Sequence, residues 1–119
     1  MEAPKIFESE YRFCLLLWEH EPVNSTRLAA LCKERLGWSK ATTYTVIRRL
    51  AERGVLKNEN ATVTSLISRE EAQTSRVEEL VEQTFGGNIP AFIAAFSRSK
   101  SLSREDVDQL RAMIDALED

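Results

Sequence analysis

Hydrophobic residues recur every three or four positions in three segments of the first half of the chain, residues 8–20, 25–36 and 40–53. This spacing predicts three amphipathic helices, each with one buried face. The predicted buried faces are Tyr11, Cys14, Leu15, Leu17 and Trp18 in the first helix; Leu28, Ala29, Leu31 or Cys32, and Leu36 in the second; and Thr43, Val46, Ile47 and Leu50 in the third.

Residues that start and stop helices separate these segments. Pro22 ends the first helix, and Asn24 and Ser39 are favourable N-caps for the second and third. Gly37 and Gly54 are the expected C-terminal stops of those two helices. The second and third helices are therefore joined by a tight turn.

After Gly54 the pattern changes from helical to extended. β-branched residues flank an Asn-rich turn at residues 58–61, which predicts a two-stranded hairpin, and Val23 is a candidate for a short strand. Three helices followed by a hairpin is the order of a winged helix-turn-helix domain, in which the third helix enters the DNA major groove.

Three further helices are predicted after residue 67. A capping box at Ser68 and Glu71 starts the first, Gly86 and Gly87 form a corner after it, and Ser103 caps the last. The predicted fold is thus mainly α with a small β-hairpin. It consists of a winged-helix DNA-binding domain at residues 1–67 and a three-helix dimerisation domain at residues 68–119.

The C-terminal helices carry more large apolar side chains than a segment of this size can bury alone. Packing against a second copy of the chain is the expected solution, and folding back onto the winged helix as a monomer is the alternative. The predicted dimer interface comprises Val77, Leu80, Val81, Phe85, Ile89, Phe92, Ile93, Phe96, Val107, Leu110, Ile114 and Leu117.

The predicted outer face of the third helix carries side chains that are suited to contact DNA. We predict contacts with base edges from Thr42, Tyr44 and Thr45, and contacts with phosphates from Ser39, Lys40, Arg48, Arg49 and Lys57. Other roles are open: the threonines could only cap or solvate the helix, and Arg49 could form a salt bridge that stabilises the fold. For Trp18 and Trp38, packing is favoured over stacking on bases.

The charge distribution supports this assignment although the net charge is −3. Residues 1–67 hold 10 Lys and Arg against 8 Asp and Glu, whereas residues 68–119 hold 6 against 11. Between residues 35 and 57 there are six cations and one anion, Glu52. Phosphate contacts act locally, so this basic cluster matters more for DNA binding than the net charge of the whole chain.

Other classes of function lack the residues they need. Cys14 and Cys32 lie in apolar segments and are expected in the core, and His20 is the single histidine, so neither a metal site nor a catalytic triad is predicted. No motif indicates an enzyme, a cofactor or a small-molecule ligand. No apolar run approaches the ~20 residues that cross a bilayer, and a cytoplasmic location is expected.

Three stretches of the chain resemble the penicillinase repressor family of bacterial transcription regulators. The first is the opening helix, from Glu10-Tyr11 to Leu17-Trp18. The second runs from Ser39 to Leu56 and includes Thr42, Thr45, Arg49 and Leu50. The third is the corner at residues 85–88 with the apolar helix that ends at Phe96.

The resemblance implies a homodimer that binds a palindromic operator and represses antibiotic-resistance or stress-response genes. In the family, a sensor-linked protease can relieve repression by cutting an Asn-Phe bond, which corresponds here to Ala95–Phe96. A copper-responsive branch has a cysteine pair near the C-terminus and is excluded, because no cysteine follows Cys32.

The chain departs from the family pattern at the predicted DNA-binding surface. Ala41 stands where lysine is frequent, Tyr44 stands where arginine is common, and the short wing includes Glu59. These departures predict a different operator. The acidic total charge and acidic wing also leave a second hypothesis, a winged helix that binds a protein instead of DNA.

Overall fold

The computed structural model describes residues 4–99 and 101–117. Lys100, in the predicted link before the last helix, and residues 118–119 of the predicted C-terminal domain lie outside this part of the chain. The elements in chain order are α1 (Glu8–His20), β1 (Val23–Asn24), α2 (Ser25–Leu36), α3 (Lys40–Glu52), β2 (Leu56–Glu59), β3 (Thr62–Ser65), α4 (Arg69–Phe85), α5 (Ile89–Ser99) and α6 (Arg104–Leu117). The predicted fold class is confirmed.

The sheet is a small antiparallel one with the strand order β1-β3-β2. Its hairpin, β2 and β3, is the predicted one, and β1 adds a third strand by pairing Val23 with Val63. Because β1 leads directly into α2, this pairing fixes the start of α2 against the β2–β3 hairpin, which is the wing of the domain. A bond from the Ser25 N–H to the Ala61 carbonyl, 2.8 Å long, adds to the attachment.

The core lies between α1, α2, α3 and the sheet, where the side chains of Phe13, Leu17, Leu28, Leu50 and Leu56 are buried almost completely. The predicted buried face of α3 is confirmed. In α2, Leu31 and Cys32 are both buried, and Leu36 is half-buried.

The predicted face of α1 was partly wrong. Phe13 and Leu16 are buried, whereas Tyr11, Leu15 and Trp18 are only half-buried. The apolar residues of α1 cover more than half of its circumference, so spacing alone does not select one face. The orientation is decided by long-range contacts, which bury Glu10 as well.

The turn of the hairpin holds a residue that is poorly suited to its backbone conformation. Glu59 pairs with Thr62, so Asn60 and Ala61 form a two-residue turn, with φ of 52° and 63°. Positive φ at both positions is typical of a type I′ turn, which favours Asn-Gly. Ala61 has a Cβ atom that disfavours this region.

Replacing Ala61 with glycine is therefore expected to increase the free energy of unfolding by about 1 kcal/mol. Urea unfolding followed by circular dichroism measures it. Ala30 is exposed within α2, and Ala30→Gly is the matched control, expected to lose about 1 kcal/mol because glycine disfavours helix. A decrease in the free energy of unfolding of Ala61→Gly equal to that of Ala30→Gly would contradict the prediction.

The chain divides into two compact units, Met1–Val77 and Glu78–Asp119. The predicted domain boundary at residues 67 and 68 stays a prediction. In the second unit, Gly86 and Gly87 have φ of 59° and 83°, which turns the chain between α4 and α5. Phe85 and Phe92 pack edge to face across this corner, with ring centroids 5.8 Å apart.

The predicted caps of the later helices are present. Ser68 and Glu71 exchange backbone-to-side-chain bonds of 3.0 Å at the start of α4, and Ser103 and Asp106 do the same before α6. Among the described residues, no helix has the combination of length and apolarity required for crossing a membrane.

Candidate nucleic-acid interface

The α3 helix is fixed by its cap and its inner face, which leaves the outer face to solvent. The Thr42 N–H donates to the Ser39 hydroxyl over 3.1 Å, and the Thr43 hydroxyl donates to the Ser39 carbonyl over 3.3 Å. Thr43, Val46, Ile47 and Leu50 are buried. The outer face therefore has a defined position relative to the core.

The residues predicted to contact DNA lie together on this outer face and on the wing. Lys40, Thr42, Arg48 and Arg49 are exposed, and Thr45 is half-buried. Within residues 4–99 and 101–117, neither Arg48 nor Arg49 forms an ion pair. Two adjacent guanidinium groups are thus available to an anionic ligand.

The Thr42 hydroxyl takes part in capping without losing its capacity to donate. The Ser39 hydroxyl donates to the Thr42 hydroxyl oxygen over 2.9 Å. Since that oxygen acts as the acceptor, the Thr42 proton is free to donate to an acceptor outside the protein. The Ser39 hydroxyl, by contrast, uses its proton within the cap and also accepts from the Thr42 N–H.

Tyr44 has a half-buried ring that packs against the core. The nearby hydroxyls of Thr26 and Ser25, in the first turn of α2, lower the pKa of its phenol group, and the charge of Lys40 acts in the same direction. The Lys40 ammonium lies 6.0 Å from the ring centroid. Tyr44 therefore packs on the core beside the first turn of α2 and is only partly open to solvent.

Arg53 is a structural residue that the sequence analysis counted only as part of the basic cluster. Its guanidinium forms an ion pair with the buried Glu10 and donates to the Lys5 carbonyl over 2.9 Å. The fold-stabilising salt bridge considered for Arg49 is thus made by Arg53. One clue was available: Glu10 lies among apolar residues of α1, where burial requires a cation as partner.

Glu10 is predicted to make stability depend on pH. Burial raises the pKa of Glu10, but the hydrogen bond from Arg53, the Phe7 N–H and the charges of Arg53 and Arg49 together lower it below its usual value. A lowered pKa in the folded state stabilises the protein above the unfolded pKa, and this contribution is lost as pH falls through the folded pKa.

Glu10→Gln is therefore expected to lower the free energy of unfolding by about 2 kcal/mol at pH 7, with the difference from the parent shrinking below about pH 4. Thermal or urea unfolding at several pH values measures both. Glu8 is an exposed carboxylate paired with Arg76, so Glu8→Gln is the control and is expected to cost less than ~1 kcal/mol. A pH-independent loss in Glu10→Gln would refute the assignment.

The two tryptophans and the two cysteines are packing residues, as favoured from the sequence. Trp38 stacks on Phe13 with centroids 6.0 Å apart, and the Trp18 indole N–H donates to the Ile67 carbonyl over 3.1 Å. Cys14 and Cys32 are buried. Burial raises the pKa of Cys14 to about 12, so its thiol is unreactive at neutral pH.

The C-terminal helices leave an extensive apolar surface uncovered in the single chain. No described residue of α5 or α6 is buried. Of the predicted interface, Val81 is buried within the chain, and Phe85, Phe92, Val107 and Leu110 are half-buried. The residues that remain exposed are Val77, Leu80, Ile89, Ile93, Phe96, Ile114 and Leu117, joined by Met113, which the sequence analysis did not include.

The bond between Ala95 and Phe96 lies inside α5, with Ala95 half-buried and Phe96 exposed. A helical peptide bond has its backbone groups engaged in hydrogen bonds along the helix. A protease that binds an extended substrate would therefore have to unfold this part of α5 before cutting.

The sequence model of the family described as Penicillinase repressor matches residues 6–116. The chain belongs to the penicillinase repressor family. One relative is an uncharacterised 16.5 kDa protein from Latilactobacillus sakei, 28% identical over 116 residues, which cover 94% of this chain and 80% of the relative.

Two further relatives are named as a repressor and as a regulatory protein. The penicillinase repressor of Bacillus licheniformis is 19% identical and aligns with 96% of this chain and 92% of its own length. The methicillin resistance regulatory protein MecI of Staphylococcus aureus is also 19% identical, with coverages of 92% and 93%.

Solved structures from the penicillinase repressor family share the winged-helix fold. The solution structure of monomeric Bacillus licheniformis BlaI in complex with the blaP half-operator is 24% identical, with a TM-score of 0.52, and the match covers 60% of this chain and 93% of that one. The DNA-binding domain of the repressor BlaI is 25% identical, with a TM-score of 0.51 and the same coverages.

Proposed function

We propose that this protein is a transcriptional repressor that binds double-stranded DNA as a homodimer, at a palindromic operator. The observation that carries the proposal is the exposed face of α3, where Arg48 and Arg49 have no ion-pair partner among the described residues and adjoin Thr42 and Thr45. The similarity of the fold to that of Bacillus licheniformis BlaI, which was solved in complex with a half-operator, also supports the proposal.

In this proposal the residues of α3 divide into two roles. Thr42 and Thr45 contact base edges, and Tyr44 adds an apolar contact of its half-buried ring with a thymine methyl. Arg48, Arg49, Lys40 and Lys57 contact phosphates, and Ser39 orients the first turn of α3 toward a phosphate.

The dimer is supported by the apolar side chains that α4, α5 and α6 leave exposed in one chain. Two-fold symmetry places the same helix on two half-sites, about one helical turn or ~10 bp apart. A repressor of this kind acts in the bacterial cytoplasm, and its proposed targets are antibiotic-resistance or stress-response genes. Relief of repression by a sensor-linked protease is a further part of the proposal.

Fluorescence anisotropy with the DNA upstream of the protein's own gene tests this function. We expect binding about 10³-fold tighter than to a shuffled duplex of the same composition, weakening steeply as salt rises. No binding at low salt would refute the proposal and favour a module that binds a protein. Footprinting would then locate the operator and its symmetry.

A further inference from the structure

The wing of this protein carries equal numbers of positive and negative charges. Residues 56–65, which form β2, the turn and β3, contain one cation, Lys57, and one anion, Glu59. The two residues are two positions apart on β2, so their side chains project from the same side of the strand. The Lys57 ammonium lies 3.8 Å from a Glu59 carboxylate oxygen.

This pair is open to solvent and occupies the end of the hairpin. The Lys57 and Glu59 side chains are 50% and 69% exposed. Glu59 pairs with Thr62 directly before the Asn60–Ala61 turn, which places the carboxylate at the tip of the wing. An exposed pair of this kind is weak, so another anion can replace the carboxylate on Lys57.

A wing that approaches DNA brings the phosphates to these two side chains. A phosphate that approaches the Lys57 ammonium competes with the Glu59 carboxylate for it, because both anions are attracted to the same positive charge. The neighbouring partners of the two residues across the hairpin, Thr62 and Thr64, are uncharged. No other charge on the wing offsets this competition.

We propose that Glu59 is an affinity determinant that competes with the DNA phosphate for Lys57 and thereby limits binding to every sequence. This inference rests on the proposed function, since it applies to a wing that meets DNA. The inference adds a residue that lowers the affinity for DNA, whereas the residues of α3 provide that affinity.

Glu59→Gln tests the inference because it removes the charge and keeps the shape. The probe is a random-sequence duplex of about 30 bp, three helical turns, since phosphate contacts do not depend on sequence. We expect affinity to rise about threefold to tenfold at low salt. The slope of log K against log salt should steepen by about 1 for each wing that gains a phosphate contact.

Two controls separate this mechanism from a general effect of charge. Glu105 is an exposed carboxylate on α6, so Glu105→Gln makes the same change in net charge and is expected to leave affinity nearly unchanged. In a Lys57→Gln background, Glu59→Gln should give no gain, because the competition requires the ammonium. Thermal unfolding of each variant verifies that the fold is intact.

The inference is overturned if Glu59→Gln leaves affinity unchanged, if Glu105→Gln gives an equal gain, or if the gain persists without Lys57. In each of those cases the parent protein still binds DNA, and the proposed function stands. If no variant and no parent protein binds the duplex at low salt, the proposed function fails together with this inference.

Discussion

Replacing Arg48 and Arg49 together with alanine is expected to weaken DNA binding about a hundredfold for each half-site near 0.1 M salt, in the operator and in random DNA alike. Both side chains are exposed on α3, and neither forms an ion pair with the described residues. The substitution therefore removes two charges from the interface without breaking an ion pair among the described residues, and its electrostatic effect on the fold is the loss of the Arg49 charge near Glu10.

The salt dependence identifies the cause of that loss. Each phosphate contact contributes about 0.9 to the slope of log K against log salt, so the double variant should lose about 2 from the slope for each half-site. Specificity, the ratio of operator to random binding, should change little, because phosphate contacts carry no sequence information. Anisotropy titrations at four salt concentrations measure both quantities.

A matched control is available in the second unit. Arg98 and Arg111 are exposed on α5 and α6, and replacing both with alanine changes the net charge by the same amount. This variant should bind DNA nearly as the parent does. An equal loss in the control would mean that the total charge drives binding, and an unchanged slope in the Arg48 and Arg49 variant would mean that these residues do not contact phosphates.

Ile114→Asp is expected to convert the proposed dimer into a monomer. Ile114 is 55% exposed in the single chain, so its burial would come mainly from a partner. A carboxylate within an apolar interface would lose its hydration without gaining a partner, and this cost is several kcal/mol for an uncompensated charge. Analytical ultracentrifugation of the variant and the parent measures the change in mass.

The same substitution should affect DNA binding in a way that depends on the probe. Two linked half-sites bind a dimer with a gain in avidity of about 10² or more, which a monomer lacks. Affinity for the full operator should therefore fall by this factor, whereas affinity for a single half-site should stay unchanged. Equal losses on both probes would indicate damage to the winged helix.

Arg111→Asp provides the control on the same helix. Arg111 is an exposed polar residue of α6 outside the predicted interface, so this variant should remain a dimer. A parent protein that sediments as a monomer at micromolar concentration would contradict the proposed assembly, and so would an Ile114→Asp variant that remains dimeric.

Local sequence was sufficient to predict α3. Its cap depends on Ser39 and Thr42, three residues apart, and its buried face depends on the helical repeat of Thr43, Val46, Ile47 and Leu50. Such interactions form within one or two turns, so they can be recognised without knowing the rest of the fold. The capping box of α4 and the Ser103 cap of α6 were predictable for the same reason.

Contacts between residues distant in sequence were not predictable. Arg53 and Glu10 are 43 positions apart, and their ion pair determines which basic residue supports the fold and which remain available to a ligand. The half-buried position of Trp18 depends on Ile67, 49 positions away. Nothing in the spacing of α1 shows that Phe13 and Leu16 are buried more deeply than Tyr11 and Leu15.

The sequence by itself determined the order of the elements, the winged-helix class, the basic cluster and the outer face of α3, because each depends on neighbours along the chain. Only the tertiary structure decided which faces of α1 are buried, that the ring of Tyr44 packs against the core, and that Arg53 rather than Arg49 pairs with Glu10. Those outcomes depend on which helix surfaces pack together, because burial and ion pairing come from contacts between residues that are far apart in the sequence.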